Sequence, residues 1–404
     1  MVATLAVAIM QWAIMLFVAH FDGPVLVGQY ALAQAYATPA GYLAWLSIRQ
    51  QYLVAPADGA SFADFVFLRT VAPLIVFGAL LIFIGFAYDS PQFFWIASGV
   101  FAMKYVEGFF DLAYGKMQRS GDIAGVALTN LVRGGLSIPL FGGFYITTHS
   151  LPLSLFAVSA LWVALFFIDR KRLAISVAAS DLFDMTMRRL RRRRAIVFDL
   201  FPVGMSLVIM SLAIYAPRFL IEAALGPKEL GFFSAVGHFL TVGGIAAGSI
   251  GQSLLPHLAD AISNHSPRSF WRQLLWPVAL IQGLSIIGVF LAIAIGSQLL
   301  GLFYGVAFAG QGRMLVAAAL VAGPIYAAGI ITNGCFAAQM RRAFFAIQCI
   351  SLAAIIIATL VLVPRFGVDG AFAAMMIAAI AQISISIVLL VRFFASRELQ
   401  LAQT

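Results

Sequence analysis

Residues 170–194 read RKRLAISVAASDLFDMTMRRLRRRR and hold nine of the 25 Lys and Arg residues of a 404-residue chain that is otherwise apolar for almost its whole length. A helical span needs about 20 predominantly apolar residues, and about six segments of that length precede the basic stretch and about six follow it. The stretch therefore reads as a link, 170–195, between two membrane-embedded halves, 1–169 and 196–404. Two such halves point to a transporter-like protein.

Composition carries the same message. Hydrophobic residues make up 62% of the chain and charged residues 10%, with a mean hydropathy of +0.99, whereas a soluble chain carries roughly 25% charged residues. Membrane strands would alternate over about ten residues, but the apolar runs here are continuous for about twenty. The expected fold is therefore all-α and integral to the membrane, with twelve transmembrane helices in two parallel six-helix bundles. The net charge of +9 lies mostly in connections between spans, where basic residues set orientation, so membrane lipids rather than nucleic acid are the expected partners. Cys335 and Cys349 fall inside spans with no CxxC or Cys/His pattern around them and read as packing residues.

Met1 to Phe21 lacks a basic leader and a small-residue cleavage site, so it reads as a first span and not as a signal peptide. Further spans fall at about 28–49, 67–88, 92–113, 123–147 and 151–169, and after the link at about 196–218, 230–255, 274–300, 313–338, 343–363 and 368–391. On this layout one side of the membrane receives Arg49, Arg69, Lys116, Arg119, the basic link, Arg268, Arg272, Arg341, Arg342, Arg392 and Arg397. The other receives only Arg218, Lys228, Arg313 and Arg365. The positive-inside rule places both termini and the link in the cytoplasm, which for a bacterial chain means the inner membrane. The outer connections, such as His20 to Val27 and Thr147 to Ser150, are too short to build an extracytoplasmic catalytic domain. No nucleophile/base arrangement, HExxH or phosphate-binding Gly-rich loop is present either, which argues against a membrane enzyme such as a glycan polymerase or ligase.

The halves also resemble each other. Setting Gly28 over Gly231 aligns GQYALAQAYATPAGYLA with GFFSAVGHFLTVGGIAA, pairing Thr38 with Thr241, Gly41 with Gly244, Ala44 with Ala247, Tyr30 with Phe233 and Tyr36 with Phe239. Each copy is the second span of its half and crosses the membrane in the same sense, as parallel repeats do.

Four stretches, VGQYALAQAYATPAGYLAWLSIRQ from Val27, PRFLIEAALGPKELGFFSAVGHF from Pro217, SLLPHLADA from Ser253 and LVPRFGVDGAFAAMMIA from Leu362, resemble polysaccharide-repeat-unit flippases of the multidrug/oligosaccharidyl-lipid/polysaccharide exporter superfamily. The resemblance runs over nearly the whole chain and rests on Gly and aromatic positions. It implies two six-helix bundles and the movement of undecaprenyl-diphosphate-linked glycans, as in O-antigen, lipopolysaccharide or exopolysaccharide synthesis, from the cytoplasmic to the periplasmic leaflet. It also implies a longer first helix than Met1 to Phe21 supplies. The lipid-linked glycan is then the substrate, a polysaccharide polymerase and assembly proteins are the expected protein partners, and no cofactor is required. Any coupling ion would be H+ or Na+.

Ionisable groups at bilayer depth are costly and usually face a cavity, which singles out Lys104, Glu107 and Arg133. Lys104 lies about twelve residues from one end of its span and Arg133 about ten from the other end of the next, roughly 18 and 15 Å along the helices. Glu107, one turn from Lys104, neutralises one of the two cations and leaves a net positive cluster suited to a diphosphate. Alternatively, Glu107 bridges Lys104 and Arg133 only to hold two helices together. Arg49 and Arg218 stand at span ends, where they either snorkel to the headgroups or line the ends of a cationic path. His238 is a candidate proton-coupling group or a hydrogen-bond partner between helices. The second half otherwise offers only the polar Asn333 and Gln339 near its tenth span. Pro39, Pro73, Pro139, Pro202, Pro277 and Pro324 interrupt spans and permit kinks, and Gly244 with Gly248 forms a small-xxx-small pair for close helix approach. In the link, Asp181 is placed to cap a helix whose Leu182, Met185 and Leu190 face the membrane while Arg188 to Arg194 meet anionic lipid. The leading reading is a lipid-linked glycan flippase working by alternating access; the second is a cation-coupled multidrug exporter of the same fold, which would favour buried carboxylates over buried cations.

Overall fold

The computed structural model describes residues 2–54, 61–168, 184–264 and 266–401. Among them the regular structure is entirely helical: α1 Val2–Asp22, α2 Pro24–Trp45, α3 Ile48–Val54, α4 Phe62–Ala87, α5 Pro91–Arg119, α6 Ile123–Thr148, α7 Leu151–Ile168, α8 Met187–Leu225, α9 Pro227–Ser263, α10 Pro267–Tyr304, α11 Val306–Ala309, α12 Gly312–Ala337 and α13 Arg341–Leu401. Gly367, with φ 59° and ψ −140°, breaks α13 into two helices. With that break and without the short α3 and α11, the described chain has the twelve helices expected. With α13 counted as one, eight of the described helices are long and apolar enough by themselves to cross a membrane. Large side chains such as Phe86, Trp276 and Phe290 stand more than half exposed, a surface that would drive association in water and that a bilayer solvates.

Local chemistry sets the helix ends. Ser90 accepts from the Phe93 N–H at 3.3 Å with Pro91 in the first turn of α5, and Asp122 accepts from the Gly125 N–H at 2.8 Å to start α6. Ser61 caps α4, which begins at Phe62 and not near residue 67. Arg69, expected in a connection, therefore lies about 10 Å inside a helix and is fully buried. The prolines expected to interrupt spans do not end them: Pro39, Pro73, Pro139, Pro277 and Pro324 sit within continuous helices. One true break falls instead between α2 and α3, where Leu46 and Ser47 both have positive φ, 48° and 55°. Each non-glycine residue held there costs of order 1–3 kcal/mol, so the surrounding packing over-determines this turn.

The described residues fall into two compact units, one made of those within 1–21 and 29–211, the other of those within 22–28 and 212–404. In the first, the start of α8 packs by Leu200, Ile196 and Val197 on Leu46, Ile48, Phe65, Leu68 and Leu112. The residues 187–195, read from the sequence as part of a separate link, are thus continuous with the span that follows. Of the lipid-facing basic surface expected there, Arg193 is withdrawn: it is buried, its Nε donates to Asp64 Oδ1 at 3.0 Å, and its guanidinium lies 3.8 Å from the Phe67 ring centroid. Asp181 and Leu182 lie outside the described residues. Asp184 plays the turn-forming part instead, accepting from the Thr186 N–H at 2.9 Å, a bond that holds its carboxyl below the usual carboxylate range.

In the second unit the first turn of α2 meets the first turn of α9 through the aligned glycines. A Cβ on Gly28 would overlap the Pro227 carbonyl, and a Cβ on Gly231 would overlap the Pro24 carbonyl. The weak internal repeat thus has a reciprocal physical counterpart, a Pro-xxx-Gly step from each copy. Gly231→Ala is expected to destabilise the protein by about 1–3 kcal/mol through overpacking, whereas Gly248→Ala, with nothing within 4 Å of the added methyl, should be neutral in thermal unfolding of the purified protein. Gly248 accordingly makes no close helix contact. The tight approach is at Gly243, beside Tyr326, whose hydroxyl donates to the Leu240 carbonyl at 2.7 Å.

Candidate functional site

α5 carries the charged chemistry of the first unit. Lys104 and Glu107 form an ion pair at 2.8 Å, and one turn on, Asp111 accepts from Arg69 Nη2 at 2.9 Å and from Arg49 Nη1 at 3.1 Å. These groups share one face because they recur at helical spacing. Glycines let partners approach that face: Arg49 Cγ lies 3.1 Å from where a Gly115 Cβ would be, and Arg69 Cδ lies 3.2 Å from the same point on Gly108.

Arg133, on α6, is 3% exposed. Its Nη2 donates to Asn130 Oδ1 at 3.2 Å, and the same oxygen takes the Tyr114 hydroxyl at 3.1 Å. The guanidinium carbon lies 4.5 Å from the Trp162 ring centroid, 4.9 Å from Phe110 and 5.9 Å from Tyr114. Trp162 is itself held by a 2.8 Å bond to Ser137, whose hydroxyl donates to the Arg133 carbonyl. Glu107 does not bridge Lys104 and Arg133; its carboxylate takes Lys104, and Arg133 sits in an aromatic cage with Nε and Nη1 buried and unbonded. A buried guanidinium with two unmet donors is expensive.

Lys104, Glu107, Arg133 and Arg49 thus gather in one unit, joined by Arg69 and Asp111, which the sequence reading did not assign to a site. Four cations and two carboxylates leave the cluster net positive by two. Arg218 lies in the other unit. α8 runs on to Leu225, so Arg218 is about two turns inside a helix and not at its end, with its guanidinium carbon 4.5 Å from the Tyr215 ring centroid. His238, in the same unit, pairs through Nδ1 with the Ser234 carbonyl of its own helix at 3.2 Å and not with a neighbouring helix.

The second unit also holds a cluster of neutral polar groups between its helices, apart from the exposed Arg313–Asp369 ion pair at 3.5 Å. Gln382 donates to Thr332 at 3.0 Å, Thr332 lies 3.2 Å from Ser386, Ser351 donates to Gln382 at 3.3 Å, and the Cys335 thiol reaches the Ser386 carbonyl at 3.7 Å. Every one of these groups has a partner, which is the mark of helix packing.

No protein-family model matches the chain. It is similar to the capsular polysaccharide biosynthesis protein CapF of Staphylococcus aureus, 22% identical over 381 residues that make up 92% of each chain. Among solved structures, its fold matches the lipid II flippase MurJ in an inward closed conformation, with a TM-score of 0.74, 13% identity and coverage of 97% of this chain and 88% of that one. It also matches a multidrug-resistance MATE family transporter of the MOP superfamily in an inward-facing conformation, with a TM-score of 0.69, 14% identity and coverage of 98% and 95%. The chain therefore has the fold of MOP-superfamily transporters, and it is a multi-pass membrane protein.

Proposed function

We propose that this chain flips a diphosphate-linked glycan lipid across the membrane by alternating access, with the diphosphate held at Lys104 and Arg133. The observation that carries the reading is the net positive cluster on α3 to α6, in which the buried Arg133 keeps two donors unmet. Diphosphate oxygens are the natural acceptors for a guanidinium fork, and a Lys beside it adds a mobile point charge. Arg49 serves the same path, and Arg218 serves a corresponding place in the second unit. The likeness to a capsular polysaccharide protein and to a lipid II flippase fold supports a glycan-bearing lipid as the cargo. The basic connections support an inner-membrane setting with both termini cytoplasmic. A polysaccharide polymerase and its assembly proteins would receive the flipped unit.

The exporter reading draws on the MATE fold match, but a site for cationic drugs needs carboxylate in excess, and this one has cation in excess. The deciding experiment follows the leaflet position of undecaprenyl-diphosphate-linked glycan in cells with and without the protein. Accumulation in the cytoplasmic leaflet on depletion, reversed by re-expression, is the expected result. Unchanged glycan lipid together with altered drug efflux would overturn the reading in favour of the exporter.

A further inference from the structure

In the second unit, the end of α9 and the start of α10 carry two polar stripes. His257, Asp260 and Asn264, on the last turns of α9 and its cap, and Ser266, Ser269 and Gln273, on the cap and first turns of α10, each follow the i, i+3, i+7 spacing that puts side chains on one helix face. The two stripes line one cavity of about 230 Å³. Leu258, Ile262, Phe270 and Leu274 pack in one hydrophobic cluster that joins the same two helices. The cavity lies between the spans expected at about 230–255 and 274–300, at the membrane face that carries Arg268 and Arg272. Its atoms both give and take hydrogen bonds. Gln273 Nε2 donates to Ser269 Oγ at 2.9 Å, which leaves Oε1 of the same amide buried and unbonded. His257 Nδ1 lies 3.2 Å from the Ser253 carbonyl; a carbonyl only accepts, so Nδ1 carries a proton and the neutral ring has Nε2 as an acceptor. Among the described residues no hydrogen bond or ion pair reaches the Asp260 carboxylate, although Arg268 and Arg272 stand on the next helix. This lining narrows the ligand. A phosphate would meet the Asp260 charge and bare acceptors. A metal ion would meet donors beside two arginines, and among the described residues no three His, Cys, Asp or Glu side chains stand together to hold one. A neutral polyol, whose hydroxyls each donate and accept, matches the set.

We propose that this cavity is a sugar-recognition site, in which Asp260, Gln273 Oε1 and His257 Nε2 accept from the hydroxyls of one monosaccharide ring while Asn264, Ser266 and Ser269 complete the set. A carboxylate that accepts from hydroxyls makes charge-assisted bonds, roughly twice as strong as neutral ones, and Gln273 Oε1 gains the donor it lacks. The volume of about 230 Å³ is smaller than the roughly 300–1,000 Å³ of sites for drug-sized ligands, which suits a single ring and not an oligosaccharide. A site built to hydrogen-bond hydroxyls rejects a ligand without them, because its own polar groups are then left unpaired. The cavity can therefore select a cargo by its sugar. The cationic cluster of the first unit cannot, since a diphosphate is the same whatever glycan it bears. On the orientation proposed above the site faces the cytoplasm, the side from which the cargo starts. That the sugar belongs to the cargo rests on the flippase reading, while the hydroxyl chemistry rests on the lining itself.

The test uses the purified full-length protein in detergent micelles and three probes: lipid-linked glycan extracted from cells depleted of the protein, the free glycan released from it by mild acid, and undecaprenyl diphosphate without sugar. Affinities are read by isothermal titration calorimetry, with saturation-transfer NMR for the free glycan. Asp260→Ala should weaken binding of the glycan probes about tenfold and Gln273→Leu about fivefold. Asp260→Asn keeps an acceptor and loses the charge, so it should weaken binding only about threefold. Undecaprenyl diphosphate should bind every variant as it binds the wild type, and thermal unfolding of each variant controls for folding. Tighter binding of the lipid-linked than of the free glycan would support the site and assign it to membrane-borne cargo; equal binding would support it and assign it to free sugar. Variants that leave glycan binding unchanged, or that weaken all three probes alike, would overturn the proposal. So would wild-type protein that fails to bind free glycan and takes the glycan lipid no better than undecaprenyl diphosphate. Binding of Mn2+ that Asp260→Asn abolishes, with glycan affinity unmoved, would overturn it in favour of a metal site. If depletion strands lipid-linked glycan in the cytoplasmic leaflet while these variants bind glycan normally, the sugar site is wrong and the flippase reading stands. If the variants weaken glycan binding but depletion leaves lipid-linked glycan unchanged in cells, the sugar site stands and the flippase reading falls.

Discussion

Arg133→Ala is expected to reduce export of lipid-linked glycan by about tenfold or more at equal protein levels, the loss that follows from removing a charged hydrogen-bond fork from a dry site. The geometry makes the prediction specific. Trp162, Phe110 and Tyr114 hold the guanidinium by its faces, and Asn130 takes one of its donors, so Nε and Nη1 remain to be met. Face contacts are worth about 2 kcal/mol when desolvated, and they do not replace hydrogen bonds made in the plane of the group. Arg133→Lys keeps the charge and loses the planar fork, so it should restore only part of the export. Arg133→Met fills the same cage without charge and separates the alternatives. If Arg133 only packs helices, Met should preserve export while Ala lowers thermal stability. If it binds diphosphate, Met and Ala should fail alike while the Met protein stays folded. Export measured in a depletion strain, beside thermal unfolding of the same variants, decides between them.

Asp64→Ala should be the most damaging single change to stability outside the site. Asp64 is fully buried in the first turn of α4, and its partner Arg193, nearly as buried, comes from the start of α8, 129 residues away. Removing one member of a buried ion pair leaves the other charge uncompensated at a cost of about 3–5 kcal/mol. Asp64→Asn should cost less, since its amide oxygen still accepts from Arg193 Nε and no acidic group is needed for that bond. The double change Asp64→Leu with Arg193→Met should be closer to neutral than either single one, because apolar replacement of a whole buried pair removes the desolvation penalty along with the attraction. A double-mutant cycle on thermal unfolding in detergent measures the coupling. A full-length Asp64→Ala protein as stable as the wild type would show that the pair contributes nothing to holding α8 on α4.

The sequence by itself determined the membrane setting, the all-helical class, the approximate spans and the internal repeat. All four are written in short-range signals: runs of apolar residues, Ser or Asp at a helix start, and glycine next to proline where two helices meet. Gly28 and Gly231, aligned on a weak match, turn out to make reciprocal backbone contacts, because a close approach can be met only by glycine and therefore leaves a mark on the chain. The ion pair of Lys104 and Glu107 was legible for the same reason, being one helical turn apart.

Only the tertiary structure decided the rest. Arg69 and Arg193 look in the sequence like loop cations near a membrane surface, yet both are buried on carboxylates, Asp111 42 residues and Asp64 129 residues away. A charge near a span end has the same local signature whether it snorkels to water or turns inward, since the choice depends on which carboxylate the fold brings beside it. The cage around Arg133 has no spacing in the chain at all. It exists because aromatic rings from separate helices, Phe110 and Tyr114 on α5 and Trp162 on α7, converge on one guanidinium, and that convergence is a property of packing alone.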